Sequence, residues 1–270
     1  MVRSATLWDM RRRQKPRAAN RAPGATKGVN MTDRHSEITI IGFPKCGTPA
    51  LTKHYETDDE VCLLKNPDGR RYEVTWPLIK EMDIPETDRI LVHKWTAYVY
   101  TPEALTYLKE KNPDSILILC IRDPRKTLVS SRNMHQRYAD NGHDKTHFAY
   151  KERDFYATCS LTDYYHRFAK SRLKYGHHFK MLLELFPAQR MLVVSQEAMA
   201  RDIASIAEYA KQLARWDDTA APDLASTAAQ HVGYADTARD EIDAEVSEIL
   251  AGMYASLLKR IDRSGVHHVL

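Results

Sequence analysis

The sequence has few cysteines and no long apolar segment. Its four cysteines among 270 residues are scattered and form no C-x-x-C pair, so neither a disulfide framework nor a thiolate metal site is predicted. The longest uninterrupted apolar run, at residues 116–121, is far shorter than the roughly 20 residues that cross a bilayer. No apolar segment follows the N-terminal arginines, which argues against a secretory signal. These absences predict a cytoplasmic protein without a membrane span and without a metal.

The first 35 residues carry the excess positive charge of the chain. They hold nine Lys or Arg against two Asp, whereas the remaining residues are slightly acidic. Because this stretch has no hydrophobic periodicity, we predict a disordered tail over residues 1–35, with Met31 as an alternative start, and one folded domain over residues 36–270. A nucleic-acid-binding arm is the alternative interpretation of the tail, and it would give an affinity that falls steeply with salt.

Short runs rich in Ile, Leu and Val alternate with stretches long enough for helices. The strand-like runs lie at residues 39–43, 89–93, 115–121 and 190–195. Helices are predicted between them, including two that begin near Pro102 and Pro124 and one long helix over residues 161–185. Continuous apolar strands separated by helices predict an α/β fold with a central parallel sheet that helices cover on both faces.

The segment after the first strand has the composition of an anion-binding turn. Residues 42–51 read Gly-Phe-Pro-Lys-Cys-Gly-Thr-Pro-Ala-Leu, with Lys45 in the turn and Pro49 at the start of a helix. Turn amides, the helix dipole and the lysine charge together favour a phosphate or a sulfate. In a Walker A loop the lysine follows the second glycine and precedes a hydroxyl that binds Mg²⁺, whereas Lys45 precedes Gly47. A P-loop kinase is therefore only the alternative prediction.

A second anion site is predicted after the strand at residues 115–121. Arg122, Asp123 and Pro124 follow this strand directly, and Ser130 comes about two helical turns later. A guanidinium group donates two forked, charge-assisted hydrogen bonds, and a serine hydroxyl adds another donor. Two such sites at the ends of neighbouring strands predict a ligand that carries two phosphate or sulfate groups.

Together the two segments resemble the motifs of the sulfotransferases that use 3′-phosphoadenosine 5′-phosphosulfate (PAPS). The 5′-phosphosulfate loop of that family reads roughly P-K-x-G-T-(T or R)-x-L, and residues 44–51 read Pro-Lys-Cys-Gly-Thr-Pro-Ala-Leu. The 3′-phosphate motif reads R-D-P-x-x-R-x-x-S, and residues 122–130 match it except that Thr127 replaces the second arginine. The resemblance covers about residues 37 to 215. It is closer to the carbohydrate, heparan-type branch, because the loop ends in Ala50-Leu51 without a tryptophan.

The resemblance implies a P-loop-like fold and a sulfuryl transfer from PAPS to a hydroxyl or amine of a glycan or a small hydroxylated metabolite, with PAP as product and no metal. It implies that Lys45 contacts the phosphosulfate and the bridging oxygen, and that Arg122 and Ser130 hold the 3′-phosphate. The backbone amides that would cradle the 5′ group belong to Cys46, Gly47, Thr48, Pro49 and Ala50. Proline has no amide hydrogen, so this cradle lacks one donor.

The sequence leaves the general base open. In the carbohydrate enzymes that it resembles, a Lys-Glu pair supplies the base, and the nearest match here is Lys65-Asn66, whose amide cannot accept a proton. His93 is the first candidate, since imidazole readily accepts a proton near neutrality. Asp68 and Glu73 are the alternatives.

Two further expectations concern the same site. Lys94 is predicted to be a second positive contact to the sulfuryl group. The basic loop that closes over the cofactor in the family has no recognisable counterpart in residues 222–239. Because Asn66 stands where the carbohydrate enzymes have their glutamate base, a protein that binds PAP or PAPS without catalysing transfer is kept as an alternative.

Overall fold

The computed structural model describes residues 36–67, 73–141, 151–215 and 242–270. The predicted tail, Asp68 and the region of the closing loop lie outside these ranges. Within them the chain forms a six-stranded sheet in the order β2-β3-β1-β4-β5-β6, and every neighbouring pair is parallel. The strands are β1 (Glu37–Gly42), β2 (Val61–Leu63), β3 (Ile90–Lys94), β4 (Ile116–Ile121), β5 (Met191–Ser195) and β6 (His267–Val269). The predicted α/β class with a central parallel sheet is confirmed.

The central strands are the ones that the sequence predicts. All residues of β1, β3, β4 and β5 are buried, because helices cover both faces of a parallel sheet and its strands need not alternate in polarity. The outer strands β2 and β6 were not predicted. Each has three residues, and β6 reads His-His-Val, so neither carries a strand signal of useful length.

The helices that flank the sheet follow from local signals. They are α1 (Thr48–Tyr55), α2 (Trp76–Ile79), α3 (Pro102–Lys111), α4 (Pro124–Asn141), α5 (Arg153–Thr158), α6 (Leu161–Tyr164), α7 (Tyr175–Leu185), α8 (Gln196–Arg215) and α9 (Ala244–Ser264). Proline stands in the first turn of α1, α3 and α4, where its fixed φ suits the helix and no amide is needed. Helix α8 packs with α1 and contacts β1, β4 and β5, while α7 packs with α3 and α9.

The single helix predicted over residues 161–185 is wrong. Helix α6 ends at Tyr164, a π-helical segment follows over Tyr165–Ala169, and α7 begins only at Tyr175. The amide of Lys170 bonds to the carbonyl of Tyr165 at 2.8 Å, five residues back. The hydroxyl of Tyr164 bonds to His135 Nδ1 at 2.9 Å, so packing of aromatic side chains against α4 overrides the helical period of the sequence.

The order of the strands decides where a ligand can bind. Strand β1 lies between β3 and β4, and the chain runs outward from β1 to one side of the sheet and from β4 to the other. In open α/β sheets, ligands bind beyond the carboxyl ends of the strands at such a switch point. The turn after β1 and the corner after β4, which carry the two predicted anion sites, therefore meet at the edge where a ligand is expected.

Candidate active site

The turn after β1 has a backbone that few residue types adopt. Gly42, Lys45 and Gly47 have φ values of 143°, 67° and 86°, in the region where side chains are disfavoured. A Cβ atom at Gly47 would lie 2.9 Å from Met199 Cε of α8. The methionine methyl can move aside, so it is the positive φ that favours glycine at Gly47, the N-cap of α1, and the turn directs the start of that helix toward the carboxyl edge of the sheet.

The Lys45 ammonium group lies among positive charges. It donates to Met134 Sδ of α4 at 3.7 Å, and a thioether is only a weak acceptor. Burial, followed by the nearby charges of Arg137 and Arg122, lowers the pKa of Lys45. A bound anion would relieve this repulsion, so three cations around one partly buried turn favour a phosphate or a sulfate.

Arg122, directly after β4, contacts the same turn. Its Nη1 donates to the Lys45 carbonyl at 3.5 Å, and its buried Nε has no hydrogen-bond partner among the described residues. A buried polar group without a partner is unfavourable, and here a ligand oxygen would supply the partner. The two predicted anion sites are thus in direct contact.

The first turn of α4 stabilises this corner internally. Arg125 forms a forked ion pair with Asp123, with Nη2 at 2.5 Å from Oδ2 and Nε at 3.1 Å from both oxygens. The Thr127 hydroxyl donates to the Asp123 carbonyl at 3.2 Å. Ser130 lies further along α4 and is partly exposed. Asp123 and Arg125 therefore shape the corner, while Arg122 and Ser130 remain available to a ligand.

The interior side of the turn packs against α7. Cys46 is fully buried, with Sγ 3.8 Å from Thr127 Oγ1 and 3.9 Å from the Tyr175 hydroxyl. Burial raises the pKa of Cys46 to about 12, so its thiol is not a nucleophile near neutral pH. The ring of Phe43 stacks on that of Tyr175 with centroids 4.0 Å apart. These contacts hold the turn in place from beneath.

A third group of polar side chains lies at the carboxyl end of β3. Lys94 is 4% exposed, and its Nζ lies 3.8 Å from Glu73 Oε1. The Thr96 hydroxyl donates to the same Oε1 at 2.9 Å. Burial lowers the pKa of Lys94 although Glu73 acts in the opposite direction. A Cβ atom at Gly42 would lie 3.2 Å from the Thr96 carbonyl oxygen, so this group borders the Lys45 turn.

The structure places His93 elsewhere. Its ring is 1% exposed, and Nε2 lies 3.1 Å from Glu37 Oε1 and 3.0 Å from Thr39 Oγ1. Asn112 donates to the other oxygen of Glu37 at 2.9 Å. Glu37 begins β1 and Asn112 precedes β4, so this network points toward the amino edge of the sheet. The prediction that His93 is the base gains no support from these contacts.

The alternation of side chains along β3 explains why His93 and Lys94 have different surroundings. Successive side chains of a strand point to opposite faces of the sheet, so His93 and Lys94 cannot both face one ligand in the same way. The hydrophobic pattern of β3 does not reveal which of them faces the site, because every residue of the strand is buried.

Two residues near the site were not predicted from the sequence. Arg137 follows Ser130 and Met134 at helical spacing on α4, so periodicity along the helix could have identified it. Thr96 carries no sequence signal, since its place beside the site is apparent only from its contact with Glu73, which lies more than twenty residues earlier.

Two kinds of feature are absent from the described ranges. No group of three or more His, Cys, Asp or Glu side chains in them could hold a metal ion. No helix in this part of the chain is long and apolar enough to cross a membrane.

Comparisons with known proteins agree with the sequence motifs and the fold. The sulfotransferase domain family matches residues 35–213. The crystal structure of a sulfotransferase from Alicyclobacillus acidocaldarius is similar with a TM-score of 0.52 and 17% identity, over 88% of this chain and 98% of that chain. At that identity the structural likeness shows the P-loop-like fold alone. No curated protein matches the chain significantly.

Proposed function

The chain belongs to the sulfotransferase family, and from that premise we propose that it transfers a sulfuryl group from PAPS to a hydroxyl or amine of a glycan or a small hydroxylated metabolite. The family match supports sulfuryl transfer in general. The observation that carries PAPS as the donor is the contact between the Lys45 turn and Arg122 at 3.5 Å. A nucleotide with anionic groups at both its 5′ and 3′ positions needs two such neighbouring cationic sites.

The residues present fit this donor. The partnerless Nε of Arg122 and the hydroxyl of Ser130 would hold the 3′-phosphate. Lys45, whose described hydrogen bond goes to a thioether, would contact the 5′-phosphosulfate. The Ala50 amide already donates to the Gly47 carbonyl at 2.9 Å and Pro49 has no amide hydrogen, so the cradle falls mainly to the amides of residues 46–48.

For this reaction the protein must position the reactants and stabilise the negative charge that develops. PAPS supplies an activated sulfuryl group, and its transfer, like phosphoryl transfer, passes through a loose in-line transition state. Lys45 stabilises the charge that develops on the leaving phosphate. Lys94 supplies a second positive charge at the neighbouring strand end, and its buried stem holds that charge in one position.

The acceptor and the compartment complete the proposal. The loop ending Ala50-Leu51 supports the carbohydrate, heparan-type branch, and small hydroxylated metabolites are the other acceptor class. The four cysteines, none of them in a disulfide, support a reducing compartment such as the cytoplasm. We expect no nucleic acid among the partners.

The test combines binding with transfer. Calorimetric titration with PAP and with ATP plus Mg²⁺ identifies the nucleotide, and incubation with PAPS labelled with sulfur-35 and cell extract identifies labelled acceptors by mass spectrometry. We expect PAP to bind and label to appear on a hydroxylated molecule. Binding of ATP with Mg²⁺ and not of PAP would instead support the kinase alternative. PAP binding without any transfer would support the non-catalytic alternative.

A further inference from the structure

We propose that Glu73 is the general base that accepts the proton of the acceptor hydroxyl, and that Thr96 is its positioning residue. This proposal rests on the proposed function, because it assigns a catalytic role within that site. The observations that carry it are the position, the exposure and the hydrogen bonding of the Glu73 carboxylate.

The position of Glu73 follows from backbone pairing. Glu73 forms a parallel bridge with Lys94, and the amide of Val74 donates to the Lys94 carbonyl at 2.9 Å. Glu73 is thereby fixed beside the carboxyl end of β3, which neighbours β1 in the sheet. The Lys45 turn leaves that end of β1, so the carboxylate and the proposed donor site share one edge.

The exposure of the carboxylate distinguishes Glu73 from His93. The side chain of Glu73 is 42% exposed and that of His93 is 1% exposed. A general base must come within hydrogen-bonding distance of the proton that it removes, and only an accessible group can meet an incoming acceptor. His93 would have to leave a buried network to do so.

The hydrogen bonds of Glu73 orient it for this task. Thr96 Oγ1 and Lys94 Nζ both approach Oε1, at 2.9 Å and 3.8 Å. Among the contacts of the described residues none falls on Oε2, which leaves that oxygen to the acceptor. Because a fixed rotamer keeps the base in one geometry, the Thr96 hydroxyl acts on the reaction through Glu73.

The step balances in atoms and electrons. The acceptor oxygen forms a bond to sulfur while the bond between sulfur and the 5′-phosphate oxygen breaks, and that electron pair leaves with PAP. The hydroxyl proton moves to the Glu73 carboxylate and then to solvent. Lys94 keeps its proton throughout and remains a positive charge beside the transferred group.

The competing explanation is an ordinary ion pair between Glu73 and Lys94. A pair with one half-exposed partner contributes little to stability. This explanation therefore predicts that neutralising Glu73 changes neither the stability of the protein nor the rate of transfer appreciably. The base assignment predicts a large effect on transfer and almost none on nucleotide binding. The two explanations therefore differ in the transfer rate that they predict for a variant in which Glu73 is neutral.

The experiment uses Glu73→Gln, which keeps the shape and an acceptor for Thr96, with Glu86→Gln as the matched control. Glu86 is an exposed glutamate of the same segment before β3. Three quantities are measured. They are PAP affinity by calorimetry, hydrolysis of PAPS with water as the acceptor (followed as release of labelled sulfate and called release to water), and transfer to 4-nitrophenol in weakly alkaline buffer, where that acceptor is largely ionised.

We expect Glu73→Gln to bind PAP within about twofold of the wild type and to lose about 10²-fold or more in release to water. Transfer to 4-nitrophenolate should fall far less, because this acceptor has no proton to remove. Thr96→Val should lose about fivefold to tenfold in release to water, and Thr96→Ser should restore the rate because it restores the hydroxyl. Glu86→Gln should behave as the wild type.

Release to water at the wild-type rate by Glu73→Gln, with PAP still bound, would overturn the assignment. So would equal losses with water and with 4-nitrophenolate, or the absence of both reactions in the wild type while PAP binds, since a protein without catalysis has no general base. Failure of the wild type to bind PAP would instead refute the proposed function. Should Glu73→Gln not fold, Glu73→Asp keeps a carboxylate that is one methylene shorter, and we expect a reduced rate with intact PAP binding.

Discussion

Arg122 and Lys45 should contribute to binding different ends of the same nucleotide. PAP has phosphates at its 3′ and 5′ positions, whereas adenosine 5′-monophosphate has only the 5′ group. Arg122→Ala should therefore weaken binding of PAP much more than binding of the monophosphate. Lys45→Ala should weaken the binding of both ligands by a similar factor, because the 5′-phosphate is common to them.

The magnitude follows from the contacts at Arg122. Its Nε is buried without a partner in the described ranges, and hydrogen bonds to charged groups are each worth about 1.5–3 kcal/mol. One terminal nitrogen also donates to the Lys45 carbonyl at 3.5 Å, a long bond that adds little. Loss of the guanidinium should then cost about 2–3 kcal/mol, or roughly 30- to 150-fold in the Kd for PAP. Arg122→Lys keeps the charge without the fork and should lose about tenfold.

The assay is calorimetric titration of both nucleotides at one fixed ionic strength, with Arg263→Ala as the control. Arg263 is an exposed arginine in the last turn of α9, so its removal makes the same change in net charge. Thermal melting without ligand checks that each variant folds. Equal losses for PAP and for the monophosphate in Arg122→Ala would refute the assignment of Arg122 to the 3′-phosphate. A loss no larger than that of the control would refute its role in binding.

Three further predictions concern the scaffold. Gly47→Ala should lower the free energy of unfolding by about 1–2 kcal/mol, because it forces a side chain into left-handed backbone, while the flexible Met199 methyl group 2.9 Å from the new Cβ can move aside; an unchanged melting temperature would contradict this. Burial acts to raise the pKa of Asp58, but the hydrogen bond from Lys211 outweighs it and the pKa is lowered. The stabilisation of the fold by the Asp58–Lys211 pair is therefore present above the ordinary pKa of Asp58 and is lost as pH falls through the lowered value. The difference in unfolding free energy between the wild type and Lys211→Met should accordingly be largest at neutral pH and shrink in acid, as denaturant titrations would show. Iodoacetamide should label the partly exposed Cys62 and leave Cys46 unlabelled in the native state, since burial raises the pKa of Cys46 to about 12; peptide mass spectrometry would detect the reverse.

Much of the fold could be predicted because its signals are local. Four apolar runs matched β1, β3, β4 and β5 within two residues. Proline at the first turns of α1, α3 and α4 marked where those helices begin. The three-residue strands β2 and β6 and the break between α6 and α7 could not be predicted, since pairing with neighbours and aromatic packing decide them.

The candidate site divides in the same way. Lys45 and Arg122 could be identified from short motifs that follow strands, because parallel strands bring their carboxyl ends to one edge. The choice among candidate bases could not be made from the sequence. It depends on which face of β3 each side chain occupies and on a pairing between Glu73 and Lys94 across twenty residues of chain.

By itself the sequence determined the type of sheet, the turn predicted to hold an anion and the position of the second cation at the next strand end. These features depend on residue type and spacing over at most about ten residues, where local geometry dominates. Only the tertiary structure decided that Arg122 touches the Lys45 turn, that His93 lies in a buried network, and that Glu73 with Thr96 borders the site. Those outcomes depend on strand order and on the direction of side chains across the sheet, which are fixed when distant segments pack together.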